Sequence, residues 1–202
     1  MKPIVHVVED DRSVRTAVTR LLSLAGFEAR AYASAGEFLV EERDPAPGCI
    51  VLDVGLPGLT GIELQAALQR DGDPRPIIFL TGRGSIDMGV CAMKAGAVDF
   101  LTKPVDRERL LGAVETALAR GIAAQARDEV RRRLRERLDR LTAREREVFD
   151  RVVQGKLNKQ VAYELGTSVR TVKAHRAQVM QKMEVDSLAE LVSAADRLFA
   201  SP

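Results

Sequence analysis

Tryptophan is absent from this 202-residue chain, and other aromatic side chains are scarce, with six phenylalanines and two tyrosines. Any core must therefore be filled by aliphatic side chains. Only two cysteines occur, Cys49 in an apolar run and Cys91 in a helical pattern. Both read as small buried hydrophobes in a reducing compartment rather than as redox centres. No apolar stretch approaches the ~20 residues of a membrane-spanning helix, so no membrane partner is expected. Met1-Lys2-Pro3 leads straight into an apolar run without the pattern of a secretory signal, which makes the protein cytoplasmic by expectation. A large net charge is missing too, at +2.

What the chain does have is a set of reactive side chains at the ends of apolar runs. Residues 4–8, 49–52 and 77–80 read as short strands buried on both faces and flanked by helical periodicity. The acidic triplet Glu9-Asp10-Asp11 follows the first run, and Asp53 closes the second. Thr81 closes the third, and Lys103 stands before Pro104 after a fourth. In an open parallel sheet the carboxyl ends of the strands share one edge, where ligands bind. These side chains would converge there, and their chemistry suits magnesium-assisted phosphorylation. Mg2+ takes oxygen ligands and keeps several waters, so two carboxylates and a backbone carbonyl suffice. Asp53 would be the nucleophile that accepts the phosphoryl group. Asp10, with Glu9 behind it, would hold the metal. Lys103 would be the cation for the phosphate oxygens, and Thr81 a hydroxyl donor to them. Singly, each residue has a blander reading, as a solvated turn or a helix cap. Their recurrence at successive strand ends favours the site.

On these residues, 1–122 resembles the receiver domain of two-component response regulators. The matching segments are V-V-E-D-D, L-D-V-G-L-P-G-L-T-G, F-L-T-G and D-F-L-T-K-P. The resemblance implies a flavodoxin-like, doubly wound α/β fold with five parallel strands in the order 2-1-3-4-5. It implies Asp53 as phosphoacceptor, fed by a sensor histidine kinase, and Phe100 as the switch aromatic. It also implies a cis peptide between Lys103 and Pro104. Two departures stand out. Glu9 replaces a commoner aspartate, lengthening one arm of the metal pair. Gly55 leaves the position two past the acceptor bare, so its backbone carbonyl can bind Mg2+ while nothing there shields the phosphate from water.

The chain exceeds one ordinary domain and fits two small ones. Its charge is divided unevenly: residues 1–122 carry 14 Lys/Arg against 17 Asp/Glu, and residues 123–202 carry 17 against 12. An acidic module joined to a basic one suits a sensor fused to a polyanion binder. Between them, residues 107–140 read as helical, with Gly121 as punctuation. Leu110, Val114, Ala117 and Leu118, then Val130, Leu134, Leu138 and Leu141, supply the apolar positions, with Arg131, Arg132, Arg133 and Arg135 outward. Residues 123–138 form the linker of this reading. It is either a charged segment fraying from the last receiver helix or a signalling helix that pairs with its twin.

Residues 139–202 read as four short helices. Thr142-x-x-Glu145 is a capping box for the first. Asn158 is expected to cap the second, which ends at Leu165-Gly166, and Ser168 the third. Two helices about a glycine-containing turn make a helix-turn-helix, whose second helix enters the major groove with its N-terminal half. At 100° per residue, Val172, His175, Val179 and Met183 form its buried stripe. The opposite face presents Arg170, Lys173, Ala174, Ala177 and Gln181. Arginine and lysine suit guanine edges, and alanine permits close approach and thymine-methyl contact. Thr171 and Arg176 flank that face at phosphate positions, and Lys156 and Lys159 would clamp the backbone.

The segments L-T-A-R-E-R-E-V, N-K-Q-V-A-Y-E-L, S-V-R-T-V-K-A-H-R and V-M-Q-K-M resemble the LuxR-type helix-turn-helix. With A-M-K-A-G-A-V-D-F at 92–100, the whole chain looks like a FixJ-type transcriptional response regulator. That resemblance implies promoter DNA and RNA polymerase as partners, and a homodimer formed on phosphorylation. It also implies a dimerising last helix, opened by Ser187-x-x-Glu190. Leu188, Leu191, Val192 and Ala195 would form that interface, although packing beneath the domain accounts for them as well. Three functions are weighed: a transcription factor switched by phosphorylation, a DNA binder with a vestigial receiver, and a phosphohydrolase. Retention of Asp10, Asp53, Thr81 and Lys103 opposes the second. Glycine at 55, where such hydrolases place a carboxylate, opposes the third.

Overall fold

The computed structural model describes residues 2–41, 46–82 and 86–199, with the backbone alone at 86 and 87. The chain divides into two compact units, Met1–Ala126 and Arg127–Pro202.

The first unit alternates β1 (Ile4–Val8), α1 (Arg12–Leu24), β2 (Glu28–Tyr32), α2 (Ala35–Val40), β3 (Gly48–Asp53), α3 (Gly61–Arg70), β4 (Ile77–Thr81), α4 (Ile86–Lys94), β5 (Asp99–Thr102) and the start of α5 (Arg107–Asp139). The strands form one parallel sheet in the order β2-β1-β3-β4-β5. Strands β1, β3 and β4 are buried along their whole length, which explains their predominantly apolar sequences. Successive side chains feed opposite faces. Val5, Val7, Val51, Ile78 and Leu80 meet α1 and α5, while Val8, Ile50, Leu52 and Phe79 meet α2, α3 and α4. Edge strand β2 buries only Tyr32 fully, so its sequence shows no such bias. Asp11 caps α1 through Ser13 and Val14, and Thr60 with Glu63 forms the capping box of α3.

One polar group sits under α2. His6, 4% exposed, contacts the Tyr32 hydroxyl through Nδ1 at 2.9 Å and the Arg75 guanidinium through Nε2 at 3.3 Å. Arginine only donates, so Nε2 accepts and Nδ1 carries the proton towards Tyr32. Burial, reinforced by Arg75, pushes the His6 pKa down to about 4. Arg75 in turn pairs with buried Asp73 at 2.6 Å and lies over the Phe38 ring.

Helix α5 is continuous from Arg107 to Asp139, so the linker is helical rather than frayed. Gly121 interrupts nothing. A Cβ there would lie 2.5 Å from the Gly48 carbonyl oxygen, so glycine lets the helix touch the start of β3. Beyond that contact the helix carries ion pairs on its surface, Arg132 with Glu129 and Glu136 and Arg133 with Glu129. Such pairs favour helix where packing does not.

The second unit joins the last turns of α5 to α6 (Ala143–Val153), α7 (Asn158–Glu164), α8 (Val169–Met183) and α9 (Leu188–Phe199). Leu134 and Leu138 of α5 are buried in this unit's core with Phe149, Val161, Val172 and Leu191. Thr142 and Glu145 form the expected capping box, and Ser168 caps α8. Asn158 does not cap α7. Leu157 occupies the cap position without a side-chain bond, and its N–H is taken by the Gln160 amide oxygen. The Asn158 oxygen instead accepts from Arg176 of α8.

Candidate functional site

The sheet register aligns Val8 with Leu52, Asp53 with Leu80 and Thr81 with Thr102. The residues that follow β1 and β5 therefore meet the last residues of β3 and β4 on one rim. Lys103, after β5 and before a cis peptide to Pro104, places its ammonium 2.6 Å from Glu9 Oε2 and 2.9 Å from Asp53 Oδ1. Asp53 Oδ2 accepts the Gly55 N–H at 3.1 Å. Thr81 is 3% exposed, and its carbonyl accepts the Lys103 N–H at 2.7 Å. Carboxylate oxygens of Glu9, Asp10 and Asp53 lie within 4.8 Å of one another. Phe100 is half-buried beside Phe79, against Gly89 of α4.

The electrostatics follow from this crowding. Burial pushes the Glu9 carboxyl above its ordinary range and Asp53 adds to the push, while Lys103 pulls the other way. Burial works against the Lys103 ammonium, yet its bonds to Glu9 and Asp53 outweigh it and hold its pKa above the usual lysine value. Glu9 Oε2 is buried with no hydrogen-bond partner apart from that ammonium's approach. Three converging carboxylates, one with an underused oxygen, are the hard donor set that suits a cation such as Mg2+. Arg15 of α1 fixes the turn by donating to the carbonyls of Glu9 at 2.6 Å and Asp10 at 3.0 Å.

In the second unit α8 buries Val172, Val179 and Met183 and leaves Arg170, Lys173, Ala174, Ala177 and Gln181 exposed. His175 is half-buried, as its place on the stripe requires. Thr171 Oγ1 lies 2.8 Å from the hydroxyl of Ser168, and Arg176 reaches Asn158 at 3.2 Å. Lys159 is exposed at the start of α7.

Comparison with known proteins matches residues 5–115 to the response regulator receiver domain and residues 139–195 to bacterial regulatory proteins of the luxR family. The response regulator protein TodT of Pseudomonas putida is 42% identical over 197 residues, covering 96% of this chain and 86% of TodT. The transcriptional regulatory protein FixJ of Rhizobium meliloti is 41% identical over 194 residues, covering 95% of this chain and 94% of FixJ. Among solved structures, that of the response regulator StyR aligns with a TM-score of 0.79 at 44% identity, covering 98% of this chain and all of StyR. The chain belongs to the response regulators.

This response regulator departs from sequence expectation at several positions. Lys156 precedes α7 rather than beginning it, and its ammonium lies 2.6 Å and 2.8 Å from the two carboxylate oxygens of Glu164. Arg151 pairs with the same carboxylate. Leu191 and Ala195 are buried inside the second unit at 0% and 4% exposure, so they belong to its core and offer no interface. Leu188 at 40% and Phe199 at 56% do remain exposed on α9, with Val192 partly so. Cys91 is exposed on α4 rather than buried. Sequence reasoning missed Arg15, whose only signal was its place one helical turn after the acidic triplet. It also missed the bond between Glu9 and Lys103. Among the described residues no helix is long and apolar enough to cross a membrane.

Proposed function

We propose that this response regulator is a transcription factor switched by phosphorylation of Asp53. The observation that carries the reading is the Lys103 ammonium 2.9 Å from Asp53 Oδ1, on the rim shared with Glu9, Asp10 and Thr81. In the transfer step an Asp53 carboxylate oxygen attacks the phosphorus of a kinase phosphohistidine. The new P–O bond forms as the P–N bond breaks, and the released imidazole takes up a proton. Glu9, Asp10 and Asp53, with the Gly55 carbonyl, are the residues that would hold Mg2+. When bound, that ion screens the carboxylates from the incoming phosphoryl charge.

The other roles belong to the chain's own groups. Lys103 orients Asp53 before transfer and pairs with a phosphate oxygen afterwards. Thr81 turns its hydroxyl to the phosphate, and Phe100 follows into the space vacated. A charge-assisted hydrogen bond contributes ~1.5–3 kcal/mol, and inverting a 1:99 equilibrium takes ~5.5 kcal/mol. Lys103 already holds Glu9 and Asp53, so phosphorylation exchanges its partner rather than adding a full bond. Dimerisation completes the shift. Val90 and Met93, each 46% exposed on α4, offer apolar surface for it, as do Leu188, Val192 and Phe199 on α9.

The output is promoter binding. Helix α8 lies in the major groove with Arg170, Lys173, Ala174 and Ala177 at base edges, while Thr171, Arg176 and Lys159 meet phosphates. A sensor histidine kinase upstream and RNA polymerase downstream complete the partners. The test is acetyl phosphate with Mg2+. Wild type should gain the mass of one phosphoryl group, dimerise in sedimentation and bind duplex DNA more tightly. Asp53→Asn should do none of these, and equal labelling of that variant would refute the assignment.

A further inference from the structure

Glu184 ends α8 in the left-handed region, with φ 54° and ψ 52°. Among the described residues it is the only non-glycine with positive φ. That conformation costs an L side chain ~1–2 kcal/mol, and glycine is its usual occupant after a helix. The backbone therefore gives no reason for glutamate here, whereas the side chain does. Its Oε2 lies 2.5 Å from Arg137 Nη2, and its Oε1 lies 3.7 Å from Arg140 Nη1. Arg137 Nη1 also donates to the Met183 carbonyl at 3.2 Å. The last turn of α5 thus places a guanidinium on the carbonyl end of α8, where the helix dipole favours a cation.

We propose that Glu184 and Arg137 form a latch that fixes the rotation and register of α8, so that Arg170, Lys173, Ala174 and Ala177 meet DNA in the right frame. The two are positioning residues and touch no base. The inference rests on the reading of α8 as the DNA-reading helix. The reading half of α8 has to stay bare of protein contacts. Its placement therefore depends on the buried stripe of Val172, Val179 and Met183, on the Arg176–Asn158 bond, on the Lys182–Glu145 ion pair to α6 at 2.6 Å, and on this anchor at the far end.

Glu184→Gly separates positioning from folding and from charge. It relieves the left-handed backbone, so the melting temperature stays at or above that of wild type. It also removes a negative charge from a DNA-binding unit, which by itself tightens binding to any duplex. The latch requires the opposite sign on the cognate sequence. Full-length protein treated with acetyl phosphate and Mg2+ selects a duplex from a randomised pool. That duplex and a shuffled one of the same composition are then titrated with wild type, Glu184→Gly and Arg137→Ala. Both variants should bind the selected duplex about three- to tenfold more weakly, while Glu184→Gly holds the shuffled duplex as tightly as wild type or more so. Glu184→Gly binding the selected duplex with wild-type affinity or better overturns the latch. Wild type enriching no duplex overturns the reading of α8 itself, and the latch falls with it.

Discussion

Cutting the chain at residue 139, where the luxR-family match begins, should yield a fragment that folds poorly, whereas cutting at 127 should not. The difference is the last turns of α5. Leu134 and Leu138 are 7% and 5% exposed within the second unit's core. Burying a leucine contributes ~1.5–3 kcal/mol, so their removal costs about 3–6 kcal/mol together. Loss of Arg137 also frees the Met183 carbonyl. Domains are stable by only ~5–15 kcal/mol, and a unit of this size sits at the low end. One kcal/mol shifts the melting temperature of such a domain by ~4–8 °C, so the shorter fragment should melt at least about 12 °C below the longer one. Thermal unfolding of fragments 127–202 and 139–202, followed by circular dichroism, measures this. Coincident melting curves would show that the two leucines do not belong to the domain's core, and the division of the chain described above would be wrong.

Acid should weaken the receiver through His6. Its folded pKa of about 4 lies below the unfolded value of 6.5, so the unfolded state binds the extra proton and stability falls as pH falls through that window. Between about pH 7.5 and pH 5 wild type should lose about 2 kcal/mol more than His6→Gln, read from hydrogen exchange of the β1 amides; equal losses would remove His6 as the cause. Lys103→Met leaves Glu9 and Asp53 without their shared cation. It should destabilise the metal-free fold by roughly 3 kcal/mol yet raise Mg2+ affinity, a pairing of signs measurable by melting with and without the ion. Lys159→Ala should weaken binding to any duplex and reduce the salt slope by about 1, whereas Lys156→Ala, held by Glu164, should change it little.

The site was legible because the chemistry of its residues coincides with strand ends. Val8, Asp53 and Thr81 each close a strand or stand one residue from a functional carboxylate, and the parallel register carries them to one rim. Strand β2 was not legible from its residues. Glu-Ala-Arg-Ala-Tyr has no apolar run, because an edge strand buries little, and only the family resemblance supplied it. The errors elsewhere share a cause. Lys156, Asn158, Leu191 and Ala195 were assigned from position on an isolated helix, and partners elsewhere in the unit bear on each of them. Glu164 captured Lys156, Arg176 took Asn158, and the core absorbed the other two. Periodicity locates a face but does not say what already covers it.

The two thiols have opposite surroundings, and that gives this molecule a built-in reporter. Cys49 is sealed in β3, where burial pushes its pKa up to about 12, so it is too seldom a thiolate to react. Cys91 stands open on α4, the helix that Phe100 abuts. A maleimide dye would attach at one place without mutagenesis, on the helix where activation is expected to register. With no indole emission in the background, a tryptophan introduced elsewhere would report separately.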